Sequence, residues 1–87
     1  MVVIEPVKGL NPTLKCREFL TELVEVTRDT GVLFMFDDVI TGFRLALGGA
    51  QSLFGLILDL ATYGKTLGGG MPIGAVAGPA NIMTRFD

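Results

Sequence analysis

The sequence predicts an α/β fold built on a mostly parallel sheet, and three observations carry that reading. Two apolar runs, residues 1–5 and 32–36, lack the polar alternation of half-exposed strands. One amphipathic stretch, residues 14–30, lies between them. Strand, helix and strand over this length form a βαβ unit whose two strands run parallel.

The elements follow in order. Residues 1–5 are a short β-branched run stopped by Pro6, and both faces of this strand expect cover. Gly9, Asn11 and Pro12 mark residues 8–13 as a loop. Within 14–30, Phe19, Leu20, Leu23, Val24 and Val26 recur at helical spacing, and Asp29-Thr30-Gly31 supplies the stop. Residues 32–36 form the second strand, closed by Asp37 and Asp38. Residues 40–58 read as loop with a short helix near Ala50–Phe54. Residues 59–63 suit a third strand leading to Lys65, residues 73–78 a fourth, and residues 80–86 the start of a helix.

Composition bounds the function. The 87 residues are 49% hydrophobic and 18% charged, with a mean hydropathy of +0.56. A domain this small has a high surface-to-volume ratio and needs more polar surface than that. The expectation is therefore a central piece of a larger domain, or an obligate partner in an assembly. A net charge of −2 gives no basic footprint for nucleic acid. A lone cysteine, Cys16, suits a reducing, cytoplasmic setting, and the absence of histidine argues against a transition-metal site. No secretory signal opens the chain. The uncharged run from residue 66 to 84 holds five glycines and two prolines, which argue against a bilayer helix.

Two phosphate-binding motifs fail on spacing. Gly64-Lys65-Thr66 ends like a P-loop, but the required glycine position holds Asp59, whose charge would repel a phosphate. Gly68-Gly69-Gly70 invites a dinucleotide reading, but the third glycine position holds Ile73. The pair that remains is Asp37 and Lys65. In parallel sheets ligands bind beyond the carboxyl ends of strands, and Asp37 stands at such an end. Lys65 lies in an uncharged, glycine-rich stretch. A strand-end carboxylate and an isolated lysine are what an enzyme needs to hold pyridoxal phosphate: the lysine forms a Schiff base and the acid pairs with the pyridinium nitrogen. Asp37 and Asp38 are adjacent at a strand end, so they expect opposite faces and different roles.

The ordered set Phe36-Asp37-Asp38-Val39-Ile40-Thr41-Gly42-Phe43-Arg44, Gly48-Gly49-Ala50-Gln51, Phe54-Gly55, Asp59-Leu60 and Gly64-Lys65 with Gly68-Gly69-Gly70 resembles the class III pyridoxal-phosphate aminotransferases, in particular the glutamate-1-semialdehyde aminomutase branch. Glu5-Pro6-Val7 matches that family's strand-end motif. The resemblance covers nearly the whole chain and implies a slice of the large domain of fold-type I enzymes. The family's phosphate-cradling loop would precede this slice, and its smaller C-terminal domain would follow. It implies that Asp37 meets the pyridine nitrogen, that Val39 packs on the cofactor ring, and that Lys65 is the Schiff-base lysine. It also implies a homodimer acting on a small amino-bearing substrate.

The chain departs from the family pattern at three places. Asp38 stands where glutamate is usual, Leu56-Ile57-Leu58 replaces a polar or proline-containing turn, and Leu10 stands where the aminomutases carry Asn and many ω-aminotransferases Glu. Tyr63-Gly64-Lys65, Met71-Pro72-Ile73-Gly74 with Val76-Ala77-Gly78, and Arg17-Glu18-Phe19-Leu20 look like the aminotransferase domains of polyketide and nonribosomal peptide synthetases. Leu45-Ala46-Leu47 looks more like the free-standing aminomutase. From other classes, an inactive fragment and a small βαβ nucleotide-binding module stay open.

Overall fold

The computed structural model describes residues 1–8 and 15–85. Four strands form one sheet in the order β1 (Val2–Ile4), β2 (Phe34–Asp37), β3 (Leu60–Tyr63) and β4 (Ala75–Ala77). The first three are parallel and β4 is antiparallel to β3. The helices are α1 (Arg17–Thr30), α2 (Ala50–Phe54) and α3 (Ala80–Met83), with a 3-10 turn at Lys65–Gly68. The expected α/β architecture is present.

Helix α1 buries Leu20, Val24 and Thr27, with Leu23 half-buried beside them. Phe19 and Val26, expected on the same stripe, are exposed instead, because their positions fall off the 20, 24, 27 repeat. Glu18 in the first turn and Arg28 in the last complement the helix dipole. The stop expected at Gly31 is present. Gly31 is left-handed (φ 70°), and Val32 N–H donates to the Thr27 carbonyl at 2.9 Å, a Schellman closure. The expected start at Leu14 lies outside the described residues, as do most of the 8–13 loop, Leu10, and the expected helix end at Phe86.

Strand boundaries shift by a residue or two. Val32 and Leu33 precede β2 rather than belonging to it, while Asp37 is its last residue. The 3-10 turn begins at Lys65, two residues past the end of β3. The packed face of the sheet carries Phe34 and Phe36, essentially fully buried, against Leu20, Val24, Ala50 and Phe54. The two rings meet edge to face at 5.5 Å. Each such burial contributes roughly 1.5–3 kcal/mol.

The unalternating strands call for cover on both faces, and with one long helix available among the described residues only one face has it. Val3 is 50% exposed and Met35 only half-buried. On that second face Met1, Leu33, Met35, Leu60, Thr62 and Val76 line an open groove of about 520 Å³. At the opposite, amino edge of the sheet, Asp59 Oδ2 accepts from Phe34 N–H at 2.8 Å, while Asp59 N–H donates to the Phe34 carbonyl at 3.1 Å. This two-way bond sets the entry of β2 beside β3. Among the described residues, no helix is long and apolar enough to cross a membrane.

Candidate active site at the carboxyl edge of the sheet

The parallel register aligns Phe36 with Ala61 and Asp37 with Thr62. Strands β2 and β3 therefore finish nearly flush, and the segments leaving them start side by side. Asp37 is half-buried. Its Oδ1 accepts from Thr62 Oγ1 at 3.2 Å and from Val39 N–H at 3.2 Å. Two donors on one oxygen fix the rotation of the carboxylate. Thr62 was not singled out by the sequence reading. The available signal was a hydroxyl on the third strand, which gains meaning only once the register is known.

Past β3 the chain crosses Gly64 and reaches Lys65, which is exposed and holds φ +41°. A left-handed backbone at a residue with a Cβ costs on the order of 1–3 kcal/mol and persists only where surroundings impose it. Leu67 N–H donates to the Gly64 carbonyl at 2.9 Å, closing the turn around Lys65. Val39 lies against the same turn: a Cβ placed on Gly64 would sit 3.2 Å from Val39 Cγ1. The structure thus brings Asp37, Val39 and the Lys65 turn to one edge.

Asp38 points the other way, as the strand alternation requires. It is fully buried on the α1 face. Its carboxylate accepts from the Thr41 hydroxyl and from Ala50 N–H, the latter at 3.3 Å to each oxygen. Gly49 makes this possible. It holds φ +73°, and a Cβ there would lie 2.6 Å from Asp38 Oδ2. Burial pushes the Asp38 carboxyl above its ordinary range; the Thr41 and Ala50 bonds pull it down, and the neighbouring Asp37 charge adds to the rise. Tyr63 is likewise pushed up, first by burial and then by the Asp38 charge, against a hydrogen bond with the Gln51 side chain. The short Asp38 side chain therefore reaches partners of its own at a position where glutamate was expected.

Comparisons with known proteins show the family and the fold. The family model for class III aminotransferases matches residues 1–87. The chain belongs to the class III aminotransferase family. Similar curated proteins include glutamate-1-semialdehyde 2,1-aminomutases from Methanosarcina acetivorans (52% identical over 83 residues, 94% of this chain) and Aquifex aeolicus (51% over 85 residues, 97% of this chain). The chain spans 20% of the length of each of these relatives. Among solved structures, an omega-transaminase from Sphaerobacter thermophilus superposes with TM-score 0.85 at 44% identity, covering 99% of this chain and 20% of that one. A β-phenylalanine aminotransferase from Variovorax paradoxus gives TM-score 0.86 at 39% identity, with the same coverage of each chain. A transaminase solved with pyridoxal phosphate bound gives TM-score 0.84 at 39% identity and also covers 99% of this chain and 20% of that one.

Proposed function

We propose that this chain is the cofactor-anchoring part of a pyridoxal-phosphate-dependent aminotransferase or aminomutase, similar to glutamate-1-semialdehyde 2,1-aminomutase. The observation that supports this most is the flush ending of β2 and β3, which sets a fixed carboxylate beside a lysine-bearing turn. The donor set fits the cofactor. Asp37 suits a ring N–H, Val39 suits an apolar ring face, and Lys65 supplies the amine for a Schiff-base anchor. When bound, pyridoxal phosphate supplies an electron sink for a substrate's amino carbon.

The chain's own groups then have distinct tasks. Asp37, held by Thr62 and Val39 N–H, keeps an acceptor aimed so that a ring nitrogen retains its proton. Lys65 is exposed at its turn, so its Nζ would be available both to anchor the cofactor and, when unprotonated, to take up and return a proton as general base and acid. The phosphate-holding loop and the smaller domain are assigned to other parts of the polypeptide, and a homodimer acting on a small amino-bearing molecule is the working assembly. Relatives named as aminomutases reach 52% identity, against 44% for a solved omega-transaminase, which favours the aminomutase reading.

The test is covalent mapping. Pyridoxal phosphate is added to the protein carrying these residues, reduced with borohydride and digested. The added mass is expected on Lys65, and Lys65→Ala is expected to lose both the mass and turnover. Mass on Lys8 or Lys15 overturns the assignment.

A further inference from the structure

Among the described residues, two without glycine's freedom hold positive φ: Phe43 (66°) and Lys65 (41°). They lie in two segments that touch each other. The loop leaving β2 lies along the Lys65 turn, and each side of Lys65 is gripped by it. On the strand side, the Phe43 ring packs on Tyr63 at 5.6 Å between centroids, and Gly42 backs onto the same ring, where a Cβ would meet Tyr63 Cδ1 at 2.5 Å. On the far side, Arg44 Nε donates to Thr66 Oγ1 at 3.0 Å. The grip reaches Lys65 through its two flanks.

We infer that Arg44 is a positioning residue for Lys65, acting as a latch on Thr66 that holds the lysine-bearing turn in its left-handed conformation. A strained dihedral persists only where the surroundings impose it. On the near side Gly64 is buried against Val39, and Tyr63 before it is fixed by the sheet and by Phe43. Thr66 lies past the strand, and the Arg44 bond ties it back to the β2 loop. The planar guanidinium places Nε in one direction, which a lysine ammonium does not reproduce. The latch also couples the two halves of the site, because the loop that carries Arg44 begins at Asp37 and Val39. Its catalytic meaning rests on Lys65 being the cofactor anchor; the latch itself does not.

The experiment has two arms. In the first, hydrogen exchange is followed without cofactor at Leu67 N–H, which closes the turn on Gly64, and at Asp59 N–H as a distant control. Arg44→Ala and Thr66→Val are each expected to speed Leu67 exchange by about threefold, the scale of one exposed hydrogen bond, with Asp59 unchanged. Thr66→Ser, which keeps the hydroxyl, is expected to restore the parent rate. The double variant is expected to match either single one, since both remove the same bond. Unchanged Leu67 exchange, equal acceleration at Asp59, or additive effects would overturn the latch.

In the second arm, pyridoxal phosphate is trapped with borohydride across a pH series. At each pH, Arg44→Ala is expected to raise the cofactor concentration that gives half-maximal trapping at Lys65, and Thr66→Ser to leave it in place. A half-maximal concentration that Arg44→Ala does not move overturns the positioning role. Cofactor mapped away from Lys65 defeats the functional reading instead, while the first arm still decides the latch.

Discussion

Asp37 and Asp38 are neighbours in sequence and opposites in structure. Asp37 lies half-buried on the open face of the sheet, bonded to Thr62 and to Val39 N–H. Asp38 is sealed in the helix-covered face, bonded to Thr41 and Ala50 N–H. The open face carries the group assigned to chemistry, and the packed face carries the group that holds the loop. The difference teaches that burial, not residue type, gives two identical side chains different surroundings, one open to a ligand and one sealed.

The sharpest way to break that comparison is to neutralise each acid in turn. Asp37→Asn is expected to retain some cofactor but slow turnover by several orders of magnitude, because an amide does not hold a ring proton in place. Asp38→Asn keeps the side-chain volume and is expected to cost about tenfold or less, the scale of one weakened hydrogen bond. Steady-state rates on the two variants decide it, and equal losses would erase the division of roles.

A structural test acts on the packed side alone. Gly49→Ala puts a methyl against Asp38 Oδ2 in a left-handed backbone. Urea unfolding is expected to show a loss of about 1–3 kcal/mol, with the site of cofactor attachment unchanged. Unaltered stability would mean that the 38–50 loop is not held by Asp38.

The smallest effect is in pH. The folded Asp38 carboxyl binds its proton more tightly than the unfolded one, so its contribution to stability is fully present below its ordinary value of 3.8. That contribution is lost as pH rises from there through the raised folded value. The urea midpoint of the parent is expected to carry this downward slope, and Asp38→Asn to lack it. Parallel curves for the two proteins would show that Asp38 titrates normally.

Much of this molecule was legible in its residues. The unalternating runs around Val3 and Phe34, the stripe through Leu20 and Val24, and the stop at Gly31 follow from local periodicity and backbone freedom, so the βαβ order was readable. Asp37 and Lys65 could be singled out because a strand-end acid and a lysine in an uncharged glycine run are chemically unusual. Other features depend on which distant segments meet. Register alone pairs Thr62 with Asp37 and sets Asp59 on Phe34. Loop packing alone places Phe43 on Tyr63 and Arg44 on Thr66. The left-handed backbone at Lys65 belongs to the same class, since no local preference of lysine favours it and the structure around it must impose it. The sequence by itself determined the elements and singled out the candidate groups; only the tertiary structure decided their partners, because hydrogen bonds between residues 22 to 25 positions apart depend on how strands align and loops pack.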